Sequence, residues 1–129
     1  MSSIFTKIRK KEVGGYLLDD NGREFAILDI NPSQIWHTLV IPYIETDYIF
    51  DLSEIEYLSL WQYVKKISDN LKIISGAKRI AVFVEGIQVP HVHIHLVPIN
   101  KEFDFTHRID KSTLNFDELV SQYKSKFVK

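Results

Sequence analysis

The sequence predicts an α+β domain: an antiparallel sheet of about five strands with one long helix and a C-terminal helix. Three observations predict it. Asp20-Asn21-Gly22 sits between two short apolar runs, and Asn-Gly is a strong hairpin signal. Residues 52–76 form one long amphipathic pattern with start and stop signals. The stretch "HVHIHLVPI" at 91–99 alternates with period two, as strand side chains do. The resulting order, β-β-β-α-β-β-α, fits a mostly antiparallel sheet with helices on one face.

Taken in order, residues 1–12 are mixed and basic, a short helix or an arm. "GGYLLDDNGREFAILDI" is the hairpin, and "NPS" breaks the chain after it. "HTLVIP" is a brief strand stopped by Pro42, and "YIETDYIF" is a loop with aromatic anchors. In the long helix, Ser53 and Glu56 fit a capping box and Gly76 a C-cap. Leu52, Ile55, Leu58, Trp61, Val64, Ile67, Leu71 and Ile74 make its apolar stripe. "RIAVFVEG" is a β-branched and aromatic strand. The second helix, about 115–127, carries Phe116, Leu119, Val120, Tyr123 and Phe127 on one side.

Composition narrows the function. Sixteen basic and 17 acidic residues leave a net charge of −1, so no general attraction to nucleic acid or membrane is expected. Without cysteine there are no disulfides and no thiolate metal sites. The N-terminus lacks the apolar stretch of a signal peptide, and no run approaches a membrane span; a cytoplasmic chain is expected. Walker, GxGxxG, HExxH and GxSxG motifs are absent.

His91, His93 and His95 occupy one face of the last strand, with Val92, Ile94 and Leu96 on the other. The aliphatic face would pack on the long helix, and the imidazoles would look outward into a groove. Same-face neighbours lie roughly 6.5–7 Å apart. That spacing suits two chemistries: shared zinc ligation, or an imidazole nucleophile flanked by groups that hold the substrate. No nearby acid has a zinc-site spacing, Glu85 and Glu102 included. A nucleophile for phosphorus needs a carboxylate for ribose, apolar walls for a base and donors for phosphate. "ILDINPSQIWHTLVIP" supplies Asp29, Ile30 and His37.

"LDINPSQIWHTLVIP" followed by "HVHIHLVPI" resembles the histidine triad (HIT) superfamily, whose signature alternates histidine with apolar residues. "SIFTKIRKKEV" and the spacing from Asp29 to His37 are similar to its Hint-like branch. The resemblance covers about residues 4–99, as the triad core of a single domain spanning 1–129, with a helical tail from about 100. It implies attack by His93 on the α-phosphorus of a purine nucleotide conjugate, through a nucleotidyl-histidine intermediate. The His91 carbonyl would hold the His93 proton, His95 would stabilise phosphate charge, and His37 would support the cluster. Asp29 would bind the ribose hydroxyls and Ile30 the base. The resemblance implies a homodimer and no cofactor or metal. The loop "VEGIQVP" is shorter than the family usually carries. Val84 stands where a polar residue is usual, leaving Gln88 as the donor toward the leaving group. Two other readings are a zinc hydrolase using the same histidines and a nucleotide-binding module with little catalysis.

Overall fold

In the computed structural model, which describes residues 2–128, a short helix α1 (Ile4–Arg9) opens the chain. The expected hairpin follows as β1 (Leu17–Asp20) and β2 (Glu24–Leu28). Gly22 takes φ +88° in its turn, where a Cβ would be strained, and the Asn21 side chain accepts the N–H groups of Arg23 and Glu24. Next come β3 (Thr38–Pro42), α2 (Glu54–Ser75), β4 (Arg79–Val84), β5 (Ile94–Ile99) and α3 (Phe116–Phe127). The five strands form one sheet in the order β1-β2-β3-β5-β4, with every neighbouring pair antiparallel.

Register decides what shares a face. Ile27, Leu39, His95 and Phe83 are cross-strand partners in one row. Ala26, Val40, Ile94 and Val84 form the next row, on the opposite face. The second face meets α2 and α3, whose Leu60, Val64, Ile67, Leu71, Leu119 and Tyr123 are buried against it. The first face is covered by α1: Phe5 packs with Phe25, Ile27, Leu39 and Ile41. Each fully buried aliphatic side chain contributes about 1.5–3 kcal/mol.

The capping box of α2 is present in full, with Ser53 Oγ accepting from Glu56 N–H and Glu56 accepting from Ser53 N–H. The apolar stripe differs from expectation. Ile55 is 81% exposed and Leu58 54% exposed, whereas Leu60 and Tyr63 are buried. Steps of three fall about 60° behind per step, so Ile55 and Leu58 swing to the solvent side, while Leu52 and Trp61 at the ends of the series still meet the core. Leu60, Val64, Ile67 and Leu71 step by four, three and four, which keeps one face inward. In the loop before α2 the buried anchor is Ile49, while Tyr48 and Phe50 stay exposed.

The histidine stretch also differs. Regular strand begins only at Ile94, so His91 and His93 precede β5. Alternation still holds there, because Val92 is buried in the α2-side core and its N–H is tied to the Thr46 carbonyl. The imidazoles do not look into an open groove. His91 is fully buried and His93 nearly so, because α1 lies over them. Val84 faces α2, not the histidines; the β4 residue on the histidine face is Phe83. The tail is more than a helix: before α3, residues 103–108 fold back toward β4 and the histidines.

Candidate active site

The nucleophile candidate is held by backbone. His93 Nδ1 lies 2.7 Å from the His91 carbonyl oxygen, which can only accept. Nδ1 therefore carries the proton and Nε2 keeps the lone pair. Phe5 meets the same ring edge-on, with centroids 4.8 Å apart, and restricts its rotation.

His37 and His95 form a directed pair. The Ser33 backbone N–H donates to His37 Nδ1 at 2.9 Å, so the neutral ring carries its proton on Nε2. That proton is donated to His95 Nδ1, 3.0 Å away. The His95 proton is thereby placed on Nε2. Phe83 stacks on His95 with centroids 4.1 Å apart and ring planes 9° from parallel. Burial is the main reason both pKa values fall, His37 to about 4 and His95 to about 3. The Asp29 carboxylate raises that of His37, and the Arg108 guanidinium lowers both. Trp36, just before His37, adopts φ +72° and is buried, so packing holds a strained backbone beside the site.

Among the predicted site residues, Asp29, Ile30, Gln88, His93 and His95 line one cavity of about 770 Å³, a size suited to a nucleotide. Asp29 also serves its turn, with Oδ1 accepting the Asn31 N–H. Its Oδ2 lies 3.4 Å from His37 Nε2. Ile30 is half exposed at the cavity wall and Gln88 is exposed at its edge. The short loop before the triad runs tightly: Gly86 has φ +80°, and a Cβ there would come within 2.7 Å of the Asp47 carbonyl. His91 and His37 stand behind the cavity wall.

A family model described as the HIT domain matches residues 10–102. The chain belongs to the HIT family. An uncharacterized HIT-like protein of Borreliella burgdorferi is 31% identical over 109 residues, covering 79% of this chain and 78% of that protein. An adenosine 5′-monophosphoramidase, hnt1, of Schizosaccharomyces pombe is 33% identical over 104 residues, covering 76% and 74%. The crystal structure of a HIT-like protein from Bartonella henselae superposes with a TM-score of 0.79 at 22% identity, over 96% of this chain and 95% of that one, a likeness of fold.

Within this HIT site, sequence reasoning missed Ser3, Phe5, Ser33, Phe83 and Arg108. Phe83 was legible only through register, and the Ser33 amide carries no side-chain signal. Ser3 caps α1 and touches the triad. Its Oγ lies 2.6 Å from His91 Nδ1, while His91 Nε2 lies 2.7 Å from the Pro42 carbonyl. The carbonyl fixes the proton on Nε2, so Ser3 donates to Nδ1. The Ser3 N–H is held by Glu45. Ser3→Ala is expected to leave a buried acceptor unsatisfied and to lower stability by about 1–3 kcal/mol. Urea unfolding of both proteins measures it, and an unchanged midpoint would discard this tie between α1 and the triad.

Among the described residues, Asp29, His37 and His95 bring three ligand atoms within 4.8 Å of one another. The set does not fit zinc well. A zinc-bound histidine normally donates its second N–H to an acceptor. Here His37 Nδ1 faces a donor, the Ser33 amide, so ligation through Nε2 would require an imidazolate.

Proposed function

We propose that this chain is a nucleotide hydrolase or transferase acting at the α-phosphorus of nucleoside 5′-phosphate conjugates through a nucleotidyl-histidine intermediate. The observation that carries the reading is the hydrogen bond from His93 Nδ1 to the His91 carbonyl, which leaves Nε2 free to attack. The similarity to an adenosine 5′-monophosphoramidase supports the substrate class and a purine base.

In the first step the Nε2–phosphorus bond forms and the bond to the leaving group breaks. The leaving group departs with that electron pair and takes a proton from solvent, which the hydrolysis step returns. The His93 ring gains positive charge, which the His91 carbonyl stabilises through Nδ1–H. His95 Nε2–H donates to a phosphate oxygen, and His37 holds that tautomer. Water then attacks phosphorus, the P–N bond breaks, and the nucleoside monophosphate leaves with one proton released. Gln88 donates a hydrogen bond to the leaving atom from the cavity edge. Ile30 forms part of the base wall, and Asp29 accepts the ribose hydroxyls. Loss of such charge-assisted bonds costs about 1.5–3 kcal/mol. AMP is therefore expected to bind more than tenfold tighter than its dideoxy analogue. Equal affinities by calorimetry would remove Asp29 from this role.

The zinc reading is favoured by the closeness of Asp29, His37 and His95, and by a 31% identical Zea mays relative named as a 14 kDa zinc-binding protein. One experiment separates the two. Adenosine phosphoramidates and dinucleoside polyphosphates are incubated with the protein, with and without a chelator, and products are followed by phosphorus NMR. AMP formation insensitive to chelation is expected. Loss of activity restored by zinc would overturn the covalent mechanism, and no turnover of any conjugate would leave the nucleotide-binding module.

The whole chain is proposed as one HIT domain that pairs with a second copy. β4 ends the sheet with Val82 exposed, and α2 leaves Ile55 and Leu58 in solvent, surfaces that association would cover. Sedimentation at the mass of one chain would exclude the pair. Among the described residues no helix is long and apolar enough to cross a membrane.

A further inference from the structure

The segment after β5 supplies a feature that the triad chemistry leaves unused. Phe105, Thr106 and Arg108 line the same cavity as His93 and His95. Arg108 is the one lysine or arginine among the lining residues. Its guanidinium is anchored through a single nitrogen: Nη1 donates to the Phe105 carbonyl at 2.6 Å, the His107 carbonyl at 2.8 Å and Ser33 Oγ at 3.0 Å. The segment is tied to the same loop again by the Ile109 N–H on the Pro32 carbonyl. Nε and Nη2 carry no hydrogen bond to protein among the described residues, so three N–H groups remain free on an oriented, planar cation.

We propose that Arg108 forms an anion subsite for a second, non-reacting phosphate, so that the preferred substrates are nucleotides with a polyphosphate chain. This rests on the reading of the triad given above. The reacting phosphate already has His93 Nε2 and His95 Nε2–H. His37 and His95 are neutral in this arrangement, so neither supplies a positive charge for a longer chain. A phosphoramidate of AMP carries one negative charge at phosphorus, whereas a polyphosphate chain carries several. Asp29 and Glu85 also line the cavity and oppose such a chain. Arg108 is the fixed cation available to offset it, and its free N–H groups match two phosphate oxygens. Holding Nη1 on backbone carbonyls presets the fork, so little side-chain freedom is lost on binding.

The test compares kcat/KM for diadenosine triphosphate and for an adenosine phosphoramidate, in wild type, Arg108→Gln and Arg108→Lys. The ratio of polyphosphate to phosphoramidate is expected to fall at least tenfold in Arg108→Gln and to recover in part in Arg108→Lys. An unchanged ratio overturns the subsite. A parallel fall on both substrates also overturns it, because Arg108 would then act through Ser33 and His37 instead. If wild type turned over no nucleotide, the triad reading would fail, and calorimetry with ATP and AMP would judge the subsite separately. A tenfold or greater preference for ATP that Arg108→Gln removes supports it; equal behaviour of the two proteins overturns it.

Discussion

His93→Ala is expected to lower turnover by at least about 10⁴-fold while AMP affinity stays within a few-fold of wild type. The size of the effect follows from how the other imidazoles are engaged. His95 Nδ1 accepts from His37, His37 Nδ1 accepts from the Ser33 amide, and His91 Nδ1 accepts from Ser3. Each remaining nitrogen of these rings carries a proton, so no second lone pair points at the substrate. Binding rests on other groups, the Asp29 carboxylate and the apolar cavity wall. Single-turnover kinetics with a phosphoramidate and calorimetry with AMP measure the two quantities. A variant turning over at near wild-type rate would rule out a covalent path through His93.

Acid is expected to destabilise the fold well before the carboxylates titrate. Burial lowers His37 from the ordinary 6.5 to about 4 and His95 to about 3, and it lowers His91 as well. The unfolded chain binds protons at these rings from about pH 6.5 downward, while the folded chain does not. Stability is thus fully present above pH 6.5 and is lost as pH falls toward 4. His37 and His95 share one hydrogen bond and respond together, with a loss on the order of 3 kcal/mol across that window. The breaking event is specific: a protonated His37 places N–H against the Ser33 N–H, donor against donor. Denaturant midpoints at half-unit pH steps from 7.5 to 4.5 read the loss. A flat profile between pH 6.5 and 4.5 would show that the pair does not carry it.

Particular elements were legible in the sequence because their causes are local. The Asn21-Gly22 turn needs a positive φ and finds a glycine. The α2 start needs a side chain on its free N–H groups and finds Ser53 with Glu56. Pro42 is the last residue of β3, the stop that its proline signals in the sequence. The triad announced itself through strict alternation, and three imidazoles on one face of an otherwise apolar segment call for a chemical reason. Local periodicity misled at Ile55 and Leu58, which stay in solvent, since exact spacing decides which face a helix buries.

What the sequence by itself determined is the set of elements, their order and the fold class, whereas the joining of Asp29 and His37 to the triad is implied by the family resemblance alone. The elements and their order follow from propensity, capping, turn chemistry and period, all acting within a few residues. What only the tertiary structure decided is how the histidines are used. The proton positions depend on the Ser33 amide, the Pro42 and His91 carbonyls and the Ser3 hydroxyl, contacts set by chain path. The burial that lowers His37 and His95, Phe83 on His95, Phe5 on His93, and Arg108 returning from beyond β5 depend on register and packing between distant segments. An imidazole's chemistry is set by its two nitrogen partners and its access to water, and a linear spacing specifies neither.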